Sequence, residues 1–142
     1  MRSIVNTMFI AAVFTVILVT QPLAYADKKV SPETVDGATT VSTEEAKKLF
    51  DQGITFIDVR SNRDWEAGRI PGAIHIELKH EFNEESLGAV VAKNQAVVIY
   101  CNSIGCMRSS HASQKAVAWG YTKIYYYRLG FPDWKRAGYA IQ

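Results

Sequence analysis

Cysteine is scarce in this chain of 142 residues: there are two, Cys101 and Cys106, and no other thiol. That excludes a scaffold knitted from several disulfides and leaves the fold to a hydrophobic core. An excess of one charge is missing too. Sixteen Lys and Arg against fourteen Asp and Glu leave +2, with no basic run, so nucleic acid is not an expected partner. The three histidines, His75, His80 and His111, lack the mutual spacing of a metal site, and Cys101 and Cys106 have no second ligand pair. Neither metal nor cofactor is therefore expected. Four Pro and nine Gly lie scattered, with no internal period, which excludes collagen-like and solenoid designs. What is present is 48% hydrophobic and 21% charged residues, the composition of one globular domain.

One long apolar run exists, from Met8 to Val19, with Thr15 its one polar residue, Arg2 ahead of it and Ala24-Tyr25-Ala26 behind. Twelve residues fall short of the roughly 20 that span a bilayer. The pattern predicts a signal peptide over 1–26, cleaved after Ala26, rather than a retained anchor. The mature protein is then expected in the periplasm or outside the cell, with no stable membrane anchor after cleavage. That compartment is oxidising. Residues 27–40, polar and broken by Pro32 and Gly37, read as a linker without chemistry, which leaves 41–142 as the domain.

Within that domain strands alternate with helices. Ser42 and Glu45 form a capping box, Ala46, Leu49 and Phe50 share a helical face, and Gly53 ends the helix. The segments 54–59 and 96–100 are short, β-rich and apolar almost throughout, as strands covered on both faces should be. Residues 73–76 and 123–127 are further strand candidates, 79–93 holds a loop and one helix, and Ser109 to Trp119 reads as a helix closed by Gly120. The expected fold is α/β, a small central parallel sheet flanked by helices. Its ligand site belongs at the carboxyl ends of the strands.

Both cysteines lie at one such end, in YCNSIGCMRSS, after an apolar strand and before a helix. Inward-pointing amides and the helix dipole favour a thiolate or a bound anion at such a junction. Cys101 is therefore expected to have a depressed pKa and to act as nucleophile; the alternative is an inert small hydrophobe at a strand end. Arg108 adds a positive charge suited to an oxyanion. Asp58, at the end of a neighbouring strand, could anchor the loop or cap a turn. Arg60 could line the pocket mouth or serve a structural ion pair, and Ser109 and Ser110 read as helix caps, with Ser109, like Asp58 and Arg60, a candidate supporting residue of the site.

Three stretches make the chain resemble the single-domain rhodanese-like sulfurtransferases over Val41 to Gln142. Asp58-Val59-Arg60, Asp64-Trp65, Gly68 and Ile70-Pro71-Gly72-Ala73 are similar to the family's first signature, with Arg69 where His is more usual. Cys101 matches the position of the persulfide-bearing cysteine. Gly130-Phe131, Trp134, Ala137-Gly138 and Tyr139 resemble the closing motif. The loop departs from the family: six residues, Asn102 to Met107, separate Cys101 from Arg108, more than in common rhodanese loops, and a second cysteine lies inside it.

The resemblance implies sulfur transfer. Cys101 would attack the outer sulfur of thiosulfate or a polysulfide, form a persulfide and pass the sulfur to cyanide or a thiol. The amides of Asn102, Ser103, Ile104, Gly105, Cys106 and Met107 would hold the anionic sulfur, and Arg108 the anionic end of the donor. Cys106 could resolve the persulfide, release hydrosulfide and close a disulfide, which calls for a periplasmic protein reductant. Thiol-disulfide or sulfur reduction, a structural disulfide, and a non-catalytic binding module are the alternatives.

Overall fold

The computed structural model describes residues 29–142. The expected signal peptide lies outside the described residues. The elements run β1 (Ala38–Thr40), α1 (Thr43–Asp51), β2 (Thr55–Asp58), α2 (Asn62–Glu66), β3 (Ile74–His75), α3 (Glu84–Gly88), β4 (Ala96–Tyr100), α4 (Arg108–Ala118), β5 (Lys123–Tyr127) and α5 (Gly130–Arg136). The five strands form one parallel sheet in the order β1-β5-β4-β2-β3.

Alternation along each strand builds two cores. In β4, Val97 and Ile99 face one side with Ile57, Ile124, Ala112 and Ala116, whereas Val98 and Tyr100 face the other with Phe56, Ala46, Tyr127 and Trp134. Successive side chains of a strand point to opposite faces, so a strand buried on both must be apolar throughout. That is why 54–59 and 96–100 look as they do. The capping box of α1 forms as its sequence predicts: Glu45 N–H donates to the Ser42 hydroxyl, and Ser42 N–H to the Glu45 carboxylate at 2.7 Å.

The linker expected over 27–40 is corrected over its described part. Ala38–Thr40 pairs with β5 in the register Ala38↔Ile124, and Ser31 and Val35 are buried. Ser31 N–H donates to Ile104 O at 2.6 Å and Ser31 O accepts from Arg128 Nη2 at 2.7 Å, while the Tyr126 hydroxyl donates to Pro32 O at 3.1 Å. Three residues joined to an edge by backbone hydrogen bonds leave no periodicity to read.

After β2 the chain adds β3 on one side, returns through α3 to β4, and adds β5 on the other. The strand order thus reverses between β2 and β4, and a crevice outside the carboxyl ends of these two strands is the natural ligand position. Asp58 and Tyr100 end the two strands as register partners. Cys101 comes next.

Candidate active site

Cys101 leaves β4 with its residue fully buried, while Cys106 at the far side of the loop is half-buried; both thiols are free. The Cys101 thiol donates to Cys106 O at 3.4 Å, and its sulfur lies 3.1 Å from the Ser109 hydroxyl. Helix α4 begins on Met107 with no side-chain cap. The Ser109 backbone in its first turn favours negative charge on the Cys101 sulfur, and the Asn102 and Arg108 backbone favours it on the Cys106 sulfur. Free N–H groups at a helix start favour negative charge in this way. Ser109, expected as a cap or a supporting residue, lies beside the sulfur of the nucleophile candidate.

Negative charge does not settle where the sequence suggested. Burial pushes the Cys101 thiol far up, hydrogen bonding to Cys106 and repulsion from it push the same way, and the bonds from Ser109 oppose them without prevailing. Cys106 goes the other way, down to about 6. The hydrogen bond from Cys101 is the largest cause; burial opposes it, and the Asn102 and Arg108 amides and the Arg108 charge add to it. The expectation of a depressed Cys101 pKa is therefore corrected: in a contacting pair of thiols the first proton leaves the better-solvated sulfur, and that charge holds the second proton in place.

A pH profile checks this. The rate of Cys106 alkylation by iodoacetamide is expected to rise through a midpoint of about 6 and level off at neutral pH, with Cys101 unmodified, because the thiolate is the reactive form. A midpoint near the free-thiol value of about 8.5, or alkylation at Cys101 first, would contradict it.

The remaining loop residues serve the loop itself. Cys106 N–H donates to Ser103 O at 2.8 Å, so that amide is not free for a ligand, contrary to the expected cradle of all the amides from Asn102 to Met107. Asn102 Nδ2 donates to Asp64 at 3.0 Å, which ties the loop to α2 and, with the Ser61 hydroxyl, lowers the Asp64 pKa. Gly105 follows the exposed Ile104 in the turn.

Arg108 is not a free charge either. Its guanidinium pairs with the buried Glu77 and donates to Val59 O. Burial alone would raise the Glu77 pKa, but Arg108 and the Lys79 and His80 amides lower it. Glu77 gave no signal in the sequence. Arg63, Lys79 and His80 join Ser61, Asn62, Glu77 and Arg108 around a shallow depression of about 350 Å³.

Asp58 and Arg60 are absent from that depression. They form a buried ion pair, Arg60 Nε lying 2.9 Å from Asp58 Oδ2 and Nη2 2.6 Å, and Asp58 Oδ1 also accepts Arg60 N–H at 2.9 Å. Arg60 also donates to Gly68 O, and its guanidinium lies 4.4 Å from the centre of the Phe131 ring. The turn-cap role for Asp58 and the structural role for Arg60 hold; the pocket-mouth role does not. Phe131 N–H in turn donates to Cys101 O at 2.9 Å, so the pair supports the loop from below.

The family model of the rhodanese-like domain matches residues 42–137. The chain belongs to the rhodanese-like domain family. Among relatives, the tRNA uridine(34) hydroxylase of Buchnera aphidicola subsp. Schizaphis graminum is 34% identical over 92 residues, 58% of this chain and 27% of that protein. The chain thus spans about a quarter of the hydroxylase's length. The mitochondrial protein HIGH ARSENIC CONTENT 1 of Arabidopsis thaliana is 25% identical over 122 residues, 80% of this chain and 71% of the relative. The human single-domain sulfurtransferase TSTD1 superimposes with a TM-score of 0.57 at 28% identity, covering 70% of this chain and 96% of that one. In this rhodanese-like domain Gly130, read in the sequence as part of the closing motif, acquires a reason. It has φ +67, and a Cβ there would lie 2.2 Å from Cys101 O. Close approach of α5 to the loop demands a residue without a side chain.

Proposed function

We propose that the chain is an exported sulfurtransferase that moves a sulfane sulfur from thiosulfate or a polysulfide to a thiophilic acceptor, cyanide or a thiol, through a persulfide on Cys101. Membership of the rhodanese-like family supports a sulfur-transfer role, and likeness to a single-domain sulfurtransferase agrees with it. The observation that carries the reading is the place of Cys101 between the end of β4 and the uncapped start of α4, with its sulfur 3.1 Å from the Ser109 hydroxyl of that first turn. Such donors stabilise a persulfide anion as they would any oxyanion-like charge in a site shielded from water. Periplasmic location follows from the apolar run and Ala24-Tyr25-Ala26 alone.

Covalent transfer occurs in two half-reactions. In the first, a thiolate attacks the outer sulfur of thiosulfate, a sulfur–sulfur bond forms, and sulfite leaves with the electron pair of the broken bond. In the second, the acceptor attacks the outer sulfur of the persulfide and the cysteine thiolate departs. Arg108, turned toward Glu77, and the nearby Arg63 and Lys79 provide the positive field that draws an anionic donor.

Intact-mass and peptide analysis of reduced protein equilibrated anaerobically with thiosulfate tests the reading. One added sulfur, mapped to Cys101 and removed by cyanide as thiocyanate, is expected. Absence of added sulfur with thiosulfate and with polysulfide alike would overturn it and leave a binding module.

A further inference from the structure

We propose that Cys106 is a second catalytic residue of this domain, the thiol that takes the sulfur from the donor and hands it inward to Cys101. The proposal rests on the sulfur-transfer reading and assigns its entry step.

Its ground is the order in which the two sulfurs are met from solvent. Cys101 has 0% of its surface exposed, whereas Cys106 is only half-buried. The Cys101 thiol is engaged by Cys106 O at 3.4 Å and by the Ser109 hydroxyl at 3.1 Å. A donor approaching the loop therefore reaches Cys106 first. Arg108, which lines the cationic depression, also favours negative charge on Cys106. The direction of the pKa shifts agrees, since the Cys106 thiol is lowered and the Cys101 thiol raised. The long loop gains a purpose as well. Six residues between Cys101 and Arg108 make room for a second sulfur just before the start of α4.

The chemistry balances without an outside oxidant or reductant. Cys106 thiolate attacks the outer sulfur of thiosulfate; the new bond is Cys106 Sγ to sulfur, the old sulfur–sulfur bond breaks, and sulfite leaves with its electron pair. The Cys101 proton then passes to the terminal sulfur of the Cys106 persulfide. Cys101 thiolate attacks that terminal sulfur, the Cys106 bond to it breaks, and Cys106 returns to thiolate. The products are a Cys101 persulfide and a regenerated Cys106. The Ser109 hydroxyl stays beside the inner sulfur throughout.

Rapid-quench intact mass under anaerobic thiosulfate, on wild type, Cys106→Ser and Cys101→Ser, separates the steps. Cys101→Ser is expected to take up one sulfur and to hold it on Cys106, a trapped species that a merely structural role would not produce. Cys106→Ser is expected to load Cys101 more slowly by at least about tenfold, and Cys106→Ala to behave the same while keeping the wild-type circular dichroism. Loading of both Cys106 variants at the wild-type rate would overturn the relay and leave sulfur transfer by Cys101 standing. So would absence of sulfur from Cys101→Ser when wild type loads, or hydrosulfide release with a Cys101–Cys106 disulfide in place of transfer. No sulfur on wild type would overturn the sulfur-transfer reading itself, and the relay with it.

Discussion

Replacing Gly130 with alanine is expected to destabilise the domain by at least about 3 kcal/mol, because it combines two costs. The first is conformational: φ is +67, a region that a residue with a side chain enters only at about 1–2 kcal/mol. The second is steric. The new Cβ would meet Cys101 O at 2.2 Å, with the Cys101 carbonyl carbon and Asn102 O both at 2.9 Å, and all three are backbone atoms that no rotamer change can move aside. Relief requires α5 to withdraw from the loop. That motion breaks the bond from Phe131 N–H to Cys101 O and shifts the strand end that positions the thiol. Urea denaturation is the direct measurement, and sulfur uptake by whatever folded protein survives is expected to fall with it. A loss of stability below about 1 kcal/mol, less than the conformational cost alone, would show that α5 does not press on Cys101 as described. Gly72→Ala is the control: its φ of +70 is similar but nothing lies within 4 Å, so only the conformational cost applies.

Arg60→Met is expected to cost about 3–5 kcal/mol, the range for removing one partner of a buried ion pair. Asp58 is 0% exposed and Arg60 2%, so the carboxylate left behind has neither water nor a counter-charge. Loss of the cation also removes the donor to Gly68 O and the contact with the Phe131 ring. The damage therefore reaches the loop through Phe131. Asp58→Asn combined with Arg60→Met removes the stranded charge while keeping an acceptor for the residue 60 amide, and part of the stability is expected to return. Thermal unfolding of the single and double variants decides the matter; equal losses in both, or a single-variant loss under about 1 kcal/mol, would speak against a buried charge pair as the cause.

These two expectations concern residues whose kind was visible in the sequence and whose partners were not. Asp58-Val59-Arg60 and Gly130-Phe131 stand out as motif residues, but 30 positions separate Phe131 from Cys101 and 71 from Arg60, and nothing in a linear pattern places its ring on a guanidinium and its amide on a carbonyl. Glu77 was silent for the same reason. A single acid after a short strand has many fates, and only the fold sets it against Arg108.

Short-range physics was legible. The capping box of α1, the bounds of β4 and β5, and the position of Cys101 between a strand and a helix depend on neighbours a few residues apart. Alternation and capping act at that range. β1 was missed because an edge strand of three residues is held by backbone bonds to β5 rather than by its side-chain pattern.

The sequence by itself determined the parallel α/β class and the cysteine-bearing strand-to-helix junction, because periodicity and local order encode both. Only the tertiary structure decided which sulfur is buried, which carries the charge, and whether Arg108 is free. Burial and pairing are properties of surroundings assembled from β2, the loop after β3, the segment before β1 and α5, segments distant in the chain that meet only at the carboxyl ends of the strands.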